Sequence, residues 1–297
     1  MEKILVIGSA SIDLVVTSPR RPQNGETVLG ESFIMVPGGK GANQAVAAAR
    51  LGADVFMAGC VGDDSYGEAI LNNLKENGVK TDYVKTLPET ASGTAHIILA
   101  EGDNSIVVVQ GANKLVTPSI ADEALPVLKE AKMVLIQQEI PEETVEHVSR
   151  LCQKHGVPLL LNPAPARTAA GKVLDRAAYI TPNETEATLL FKGMPLERAL
   201  EANPNKLIIT EGKNGVRYHD GKEIRSIPPF PVEALDTTGA GDTFNAAFAV
   251  ACSEGKNLAE SIRFANRAAS ISVTKIGAQG GMPYRKEVDQ TLLEAPE

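Results

Sequence analysis

Residues 236–245 read Asp-Thr-Thr-Gly-Ala-Gly-Asp-Thr-Phe-Asn, and an apolar run follows them as far as Cys252. Small side chains such as those of Gly239, Ala240 and Gly241 allow backbone N–H groups to face a ligand closely. A helix beginning at Asp242 would add free N–H groups and the positive end of its dipole, and together these bind an anion. The stretch therefore predicts an anion site at the start of an apolar helix.

Asp242 would lie beside that anion, where charge repulsion makes a carboxylate a poor ligand. A carboxylate in this position is better suited to accept the proton of an attacking hydroxyl group. The arrangement therefore favours phosphoryl transfer to an alcohol. An isolated Gly-x-Gly-Asp can also be a tight turn in which Asp or Thr caps a helix, so the hypothesis depends on the rest of the chain.

Composition limits the alternatives. A chain of 297 residues can form one large α/β domain or two small ones. Its formal charge of −8 gives no electrostatic footprint for nucleic acid or for an anionic membrane, so neither is expected as a partner. The three cysteines, Cys60, Cys152 and Cys252, are far apart without any Cys-x-x-Cys, which suits a reducing compartment and predicts no zinc cluster.

The first apolar run, residues 4–7, begins almost at Met1 and leaves no room for a signal peptide. No apolar run approaches the roughly 20 residues that are needed to span a bilayer. We therefore expect a soluble, cytoplasmic protein.

Besides a late hairpin of residues 215–219 and 222–227, two earlier pairs of predicted strands have no helix between their members. One pair is residues 14–16 and 32–36, separated by a Pro- and Gly-rich segment, and the other is residues 96–99 and 106–109. We expect each pair to form a small antiparallel hairpin and the two hairpins to lie side by side.

Elsewhere strands and helices alternate, which predicts a mostly parallel sheet with helices on both faces. No repeat or linker is visible, so we expect one α/β domain over residues 1–297. The expected strands are 4–7, 55–61, 133–136, 158–161, 178–181, 207–210, 215–219 and 222–227, and the expected helices are 65–77, 119–129, 141–155, 184–191, 196–203 and, as the last long one, 258–275.

Residues 37–52 form a second Gly-rich helix start. Pro-Gly-Gly-Lys-Gly-Ala-Asn precedes an Ala-rich run, which favours a helix, and Gly52 is a natural stop. The spacing of a P-loop is absent. Polar residues also follow several predicted strands, where α/β folds place ligands; they are Asp13, Glu139, Asn162, Asn183 and residues 210–212.

Residues 37–52 and 236–245 resemble the two signatures of the ribokinase (phosphofructokinase-B) sugar kinase family. Residues 183–186 resemble its Asn-x-x-Glu element and residues 277–279 its C-terminal loop, so the resemblance runs nearly end to end. It implies a three-layer α/β sandwich with a mostly parallel sheet, helices on both faces and a small β-sheet lid formed by about residues 12–37 and 94–111.

The resemblance implies ATP-dependent phosphorylation of D-ribose at the 5-hydroxyl, giving D-ribose 5-phosphate and ADP. Asp242 would be the base, and Gly239, Ala240 and Gly241 would form the anion hole for the phosphoryl group. Polar side chains at strand ends suit a pentose, because all its recognition groups are hydroxyls. The implied sugar-binding residues are Ser11, Asp13, Gly39, Lys40, Gly41, Asn43, Glu139 and Asp242.

The resemblance also implies three cofactors. The residues expected to bind ATP are Asn183, Thr210, Glu211, Gly212, Lys213, Asn214, Gly215, Gly241 and Asn266. Magnesium would be held largely through water by Asn183 and Glu186, which fits an ion that dehydrates reluctantly. Potassium would be held by Asp236, Thr238, Ser272, Lys275, Gly277 and Gly281, the last at a position where the family often has serine.

The family's lid commonly pairs with a second subunit, so a homodimer is implied. The family usually has asparagine two residues before the lid aspartate, where this chain has Ser11, and 2-deoxyribose or another pentose therefore remains open as the acceptor. A nucleoside would need apolar cover for its base, for which the lid offers Phe33 and Met35 but little else. A catalytically silent sugar-binding protein would be expected to lose Asp242 or the Gly-rich site.

Overall fold

A computed structural model describes residues 1–167 and 171–294 of the chain. The strands are β1 (Lys3–Ile7), β2 (Ser11–Thr17), β3 (Ser32–Gly38), β4 (Asp54–Gly62), β5 (Lys80–Leu87), β6 (Gly93–Ala100), β7 (Asp103–Val109), β8 (Met133–Ile136), β9 (Leu159–Leu161), β10 (Tyr179–Ile180), β11 (Ile208–Thr210), β12 (Val216–His219) and β13 (Ile224–Ile227).

The helices lie between these strands and after them. They are α1 (Lys40–Arg50), α2 (Ser65–Glu76), α3 (Pro118–Glu123), α4 (Leu125–Glu130), α5 (Glu142–His155), α6 (Gly171–Arg176), α7 (Glu184–Leu190), α8 (Leu196–Ala202), α9 (Ala240–Ser253), α10 (Leu258–Ser272), α11 (Ala278–Gly281) and α12 (Arg285–Glu294).

The central sheet has the strand order β10-β9-β8-β1-β4-β5, and every pair in it is parallel. Strands β1, β8 and β9 are apolar and almost entirely buried, as strands covered by helices on both faces must be. Two isolated parallel bridges, Ile180–Leu207 and Asn183–Thr210, join this sheet to the antiparallel strands β11, β12 and β13.

Alternate residues of β1 divide the core into two halves. Ile4 and Val6 pack in one cluster with α1, α9 and α10, while Leu5 and Ile7 pack in the other with α3, α4 and α5. The sheet is thus the middle of three layers, which confirms the predicted fold class.

The two predicted hairpins are present as a separate four-stranded sheet of order β3-β2-β6-β7. Strand β2 pairs antiparallel with β3, and β6 pairs antiparallel with β7. The hairpins are joined by parallel pairing of β2 with β6, so Asp13 lies beside Ala95 in the middle of this sheet.

Two helices differ from the sequence prediction. Helix α9 begins at Ala240 and not at Asp242, because Gly239 adopts the left-handed conformation (φ 78°) and ends the preceding turn two residues earlier. The single helix predicted over residues 119–129 is two short helices, α3 and α4, which meet at Ala124 just before Pro126.

Strand β5 and helices α6, α11 and α12 were not predicted, and α11 includes part of residues 277–279, which were expected to be a loop. Strand β5 is at the edge of the central sheet, and its exposed and half-buried residues give no apolar run. The helix expected over residues 258–275 is not the last long one, since α12 follows it. The sequence of α12 is mostly polar, and its Val288 is buried in the core. Over the described residues, no helix combines the length and the apolar character needed to cross a membrane.

Candidate active site

Helix α1 begins against the turn that follows β1. Gly39 has a positive φ of 88°, and a Cβ there would lie 2.8 Å from the Cα of Ala10. A Cβ on Gly41 would lie 2.6 Å from the backbone of Ser9. These glycines are therefore needed for backbone packing, and that packing sets where the polar residues of α1 point.

Asp242 is in the first turn of α9 and is only 6% exposed. Its Oδ2 accepts a hydrogen bond from Asn43 Nδ2 at 2.9 Å, and its Oδ1 accepts one from Gln44 Nε2 at 3.0 Å. Two consecutive amides of α1 thus hold both oxygens of the carboxylate. Such donors compensate a buried carboxylate for lost hydration and fix its orientation.

Gln44 was not among the predicted site residues. Besides Asp242, its Nε2 contacts Asn162 Oδ1 at 3.1 Å, and its Oε1 accepts a hydrogen bond from Gln137 Nε2 at 2.6 Å. Asn162 had been noted at the end of a strand. Gln44 could have been identified because it directly follows Asn43 in the second Gly-rich stretch.

The start of α9 presents free backbone donors. The first helical hydrogen bond is from Thr243 N–H to Gly239 O at 2.8 Å. Ala240 N–H donates to Thr237 O at 3.2 Å, whereas the N–H groups of Gly241 and Asp242 donate to no acceptor in residues 1–167 or 171–294. The available anion donors are therefore those of Gly241 and Asp242, with Ala240 engaged in the turn.

Two cavities meet at Gly241. The smaller, of about 240 Å³, is lined by polar and charged side chains that include Lys40, Asn162, Glu186 and Asp242. The larger, of about 720 Å³, extends away from Asp242. Both are lined by Asn183, Thr210, Thr237 and Gly241.

The larger cavity contains almost all of the residues expected to bind ATP. It is lined by Asn183, Thr210, Glu211, Gly212, Lys213, Gly215, Gly241 and Asn266, and Asn214 is not among its lining residues. Phe230, Val232 and Val273 add an apolar surface to the same cavity. An apolar surface with a few polar groups suits a flat heteroaromatic ring attached to phosphates.

Two further carboxylates, Asp13 and Glu139, act electrostatically on Lys40 but are not among the lining residues of the small cavity. Asp13 is 8% exposed and accepts a hydrogen bond from Ser11 Oγ at 3.3 Å. Burial, assisted by the nearby negative charges of Glu139 and Asp242, raises the pKa of Asp13 to about 6 against the opposing effect of the Ser11 hydrogen bond.

Glu139 is held by two donors. Its Oε2 accepts hydrogen bonds from Ser9 Oγ at 2.5 Å and from Lys40 N–H at 3.0 Å. The negative charge of Asp242, and after it those of Glu139, Glu186 and Asp13, raises the pKa of Lys40 against the opposing effect of burial. Lys40 therefore stays protonated among four carboxylates.

Asn183 and Glu186 form a capping box at the start of α7. Glu186 N–H donates to Asn183 Oδ1 at 2.8 Å, and Asn183 N–H donates to Glu186 Oε2 at 2.9 Å. Burial raises the pKa of Glu186, and the hydrogen bond from Asn183 together with the charge of Lys40 opposes the shift. The remaining carboxylate oxygen, Oε1, has no partner within the described ranges, and it suits contact with a hydrated cation through water.

The residues expected to bind potassium are brought together in part. Asp236 accepts hydrogen bonds from Thr238 N–H at 2.9 Å and from Gly277 N–H at 2.8 Å. Burial would raise the pKa of Asp236, but these hydrogen bonds outweigh it and lower the pKa below its usual value.

Gly281 packs directly on Ser272. A Cβ on Gly281 would lie 2.1 Å from the Ser272 carbonyl oxygen, so the absence of a side chain permits this contact. Gly281 N–H also donates to Gly277 O at 3.0 Å. The side chain of Lys275 points elsewhere and pairs with Glu287 at 3.2 Å. The structure therefore brings Asp236 to Gly277 and Ser272 to Gly281, while the Lys275 side chain is directed elsewhere.

Comparison with known proteins matches residues 1–285 to the model of the pfkB family of carbohydrate kinases. Ribokinase of Bacillus subtilis is 64% identical over 292 residues, which are 98% of this chain and 100% of the relative. Ribokinase of Thermotoga maritima matches in structure with a TM-score of 0.90 at 34% identity, over 99% of this chain and 100% of that one. Arabidopsis thaliana ribokinase complexed with ribose and ATP has the same TM-score and identity, with full coverage of both chains.

Proposed function

The chain belongs to the pfkB family of carbohydrate kinases, and on that premise we propose that it is a ribokinase, which transfers the γ-phosphoryl group of ATP to the 5-hydroxyl of D-ribose. The products are D-ribose 5-phosphate and ADP. The observation that carries the proposal is the position of Asp242, which lines the small polar cavity one residue after the junction with the larger cavity at Gly241.

Asp242 is the base in this reaction. Asn43 and Gln44 hold its two oxygens, so the carboxylate is fixed before the sugar binds. The hydroxyl of the sugar attacks the phosphoryl group through a loose transition state, in which its proton is lost late. A correctly placed carboxylate is therefore enough.

The start of α9 stabilises the negative charge of the phosphoryl group during its transfer. Gly241 and Asp242 offer N–H groups that are already free, and the positive end of the helix dipole adds to their effect. Gly239 provides the left-handed turn that opens the helix at this point. Ala240 contributes its N–H group when it exchanges the Thr237 carbonyl for the phosphoryl oxygen.

The sugar lies among Ser11, Asp13, Gly39, Lys40, Gly41, Asn43 and Glu139, together with Asp242 itself. Asp13 and Glu139 accept hydrogen bonds from hydroxyl groups, and the protonated Lys40 donates one. A buried site whose polar groups are already oriented recognises a polyhydroxyl ligand, because each of these groups would lack a hydrogen-bond partner if the ligand had no hydroxyl there.

ATP lies in the larger cavity, with its base on the apolar wall and its phosphates directed to Gly241. Asn183 and Glu186 would hold the water shell of a bound Mg²⁺, which would neutralise charge on the phosphates. The residues that would hold K⁺, mostly through backbone carbonyls, are Asp236, Thr238, Ser272, Lys275, Gly277 and Gly281, and a bound ion would keep the 236–242 turn in its active shape.

The four-stranded sheet is the lid over the sugar and belongs to a single domain over residues 1–297. Its face opposite to Asp13 exposes Phe33, Met35 and Val107, with 57%, 57% and 67% of their surface accessible. An apolar patch of this kind favours association. We propose that a second copy of the chain covers this patch, so that the enzyme is a homodimer. We also propose that the enzyme is located in the cytoplasm.

The substrate is tested by measuring phosphorylation of D-ribose, 2-deoxyribose, D-xylose and inosine at equal concentrations, with ³¹P and ¹³C NMR to identify the phosphorylated carbon. We expect kcat/KM to be highest for D-ribose and the product to carry phosphate on carbon 5. A preference for inosine would favour the alternative of a nucleoside kinase. Absence of product with every acceptor, while ATP still binds, would favour the silent sugar-binding protein.

A further inference from the structure

A line of hydrogen-bonded side chains runs from the surface to Asp242. It passes through four side-chain amides, which we call the amide relay; they lie on α1, on α2, at the residue that follows α2, and on α11. The relay consists of Asn77, Asn73, Gln279 and Asn43.

Each link in the relay has a defined donor and acceptor. At the outer end, Arg50 Nε donates to Asn77 Oδ1 at 2.8 Å. Asn77 Nδ2 donates to the Asn73 backbone carbonyl at 2.8 Å and lies 3.4 Å from Asn73 Oδ1, which is the longest link. Asn73 Nδ2 then donates to Gln279 Oε1 at 2.7 Å.

The inner links reach the carboxylate. Gln279 Nε2 donates to Asn43 Oδ1 at 3.0 Å, and Asn43 Nδ2 donates to Asp242 Oδ2 at 2.9 Å. Gln279 and Asn43 are both buried, so water is not available to replace either partner. Every amide in the relay therefore receives a hydrogen bond at its oxygen and passes one on through its nitrogen.

The two ends of the relay fix its direction. A guanidinium group has only donors and an ionised carboxylate has only acceptors, so none of the four amides can be reversed without placing two like atoms together. Aligned amides also polarise one another, which strengthens the last hydrogen bond in the series. The direction of Asn43 thus depends on Gln279, and the direction of Gln279 depends on Asn73.

Gln44, which contacts the second oxygen of Asp242, is oriented independently of the relay. Its Nε2 also donates to Asn162 Oδ1 at 3.1 Å, and Asn162 Nδ2 donates to the Thr181 carbonyl at 3.3 Å, so this branch has a fixed polarity of its own. The charged groups that act on Asp242 from the packed elements are Lys40, Asp13 and Glu186. None of these three is part of the relay.

We propose that Gln279 is a positioning residue for the catalytic base, because it holds the Asn43 amide with its nitrogen, and not its oxygen, towards Asp242. The proposal rests on the proposed function, in which Asp242 takes the proton of the sugar hydroxyl. A reversed Asn43 would place an oxygen against the carboxylate. Asp242 would then retain its proton more tightly and fail as a base.

The substitution Asn73→Asp tests the relay from a distance, two side chains away from Asp242. The new carboxylate can still accept from Asn77, but it cannot donate to Gln279, and its charge attracts the Gln279 nitrogen. Gln279 and then Asn43 reverse, and the oxygen of Asn43 faces Asp242. We expect kcat to fall roughly tenfold or more, the usual effect of losing a hydrogen bond to a charged group. The KM for ATP should stay unchanged.

A pH profile separates this effect from a general loss of structure. In Asn73→Asp the acid limb of kcat/KM for ribose should move to higher pH by about one unit, and activity should recover at alkaline pH. The matched control is Asn72→Asp, which adds the same charge to the adjacent, exposed residue of α2. It should leave both kcat and the acid limb unchanged.

A double-mutant cycle tests whether the effect passes through Gln279. Gln279→Leu cuts the relay, so it should lower kcat by itself, and adding Asn73→Asp to it should have no further effect on kcat or on the acid limb. The proposal is overturned if Asn73→Asp behaves like Asn72→Asp, or if it has its full effect in the Gln279→Leu background.

Failure of the proposed base is distinguishable from failure of the relay. If Asp242→Asn retains activity, the base lies elsewhere and the relay has no catalytic group to position. If Asp242→Asn is inactive while Asn73→Asp and Gln279→Leu keep the wild-type kcat and pH profile, Asp242 is still the base, and the relay contributes to packing but not to catalysis.

Discussion

At the scale of single residues, Asp13, which we propose as a sugar ligand, is buried at a cost in folding stability. Its carboxyl is buried, and its pKa of about 6 in the folded protein lies above the value of about 3.9 in an unfolded chain. Because the folded state holds the proton more tightly, ionised Asp13 destabilises the fold above pH 6. This penalty is relieved as the pH falls from 6 towards 4.

We predict that Asp13→Asn stabilises the protein and impairs the enzyme. At pH 7.5 its free energy of unfolding should rise by about 1–3 kcal/mol, and this gain should shrink by pH 4.5. The KM for ribose should rise at least tenfold, because an amide is a weaker acceptor than a carboxylate. Urea unfolding at both pH values measures the first effect, with the exposed Asp63→Asn as control. A destabilised Asp13→Asn at pH 7.5 would contradict the argument.

Ser11 acts at the same scale on the choice of sugar. Its hydroxyl already donates to Asp13, and its side chain is shorter than the asparagine usual at this position in the family. We predict that Ser11→Asn increases the ratio of kcat/KM for ribose to that for 2-deoxyribose several-fold, because a site that pairs with a hydroxyl rejects an analogue without it. Steady-state kinetics with both sugars give the ratio, and an unchanged ratio would exclude Ser11 as a determinant.

At the scale of secondary-structure elements, the 236–242 turn and the segment 272–281 are joined through Asp236. Hydrogen bonds from Thr238 and Gly277 already hold this carboxylate, and an ion beside it would fix the turn so that the Gly241 N–H group faces the phosphoryl group. Potassium should raise kcat or lower KM several-fold over tetramethylammonium at equal ionic strength, after removal of bound ions. Asp236→Ala should abolish the response, and equal rates of the wild type in both salts would refute it.

The same scale shows what the sequence could and could not predict. Strand β1 was predictable from its continuous apolar run, and helices α1 and α9 were predictable from the Gly-rich segments at which they begin. Strand β5 was not, since an edge strand buries too little to leave an apolar pattern. Asp242 could be identified from its own stretch. Its support by Gln279 could not, because Gln279 and Asn43 are 236 residues apart and only the fold brings them together.

At the scale of the whole molecule, the apolar face of the four-stranded sheet bears on assembly. If this face is the dimer interface, a charge introduced on it must be desolvated without a partner, which disfavours association. We predict that Val107→Lys converts a dimer into a monomer in sedimentation equilibrium, while Lys114→Glu, outside the sheet, does not. A wild-type chain that sediments as a monomer at micromolar concentration would exclude the dimer.

The same substitution relates assembly to catalysis. In the proposed enzyme the lid closes over the sugar and excludes water, which protects the γ-phosphoryl group from hydrolysis. A monomeric Val107→Lys variant should therefore show a higher KM for ribose and more ATP hydrolysis for each ribose phosphorylated. Unchanged coupling in a verified monomer would show that the lid works without a partner.

The central claim is that Asp242 is the base for phosphoryl transfer, and Asp242→Asn tests it most directly because it changes the charge but hardly the shape. The measurement is kcat for ribose phosphorylation, by direct detection of ribose 5-phosphate, together with ATP binding and the thermal transition of the same preparation. We predict that kcat falls by roughly 10²–10⁴ while ATP affinity and folding are retained. A decrease of less than tenfold, with the product verified as ribose 5-phosphate, would place the base elsewhere.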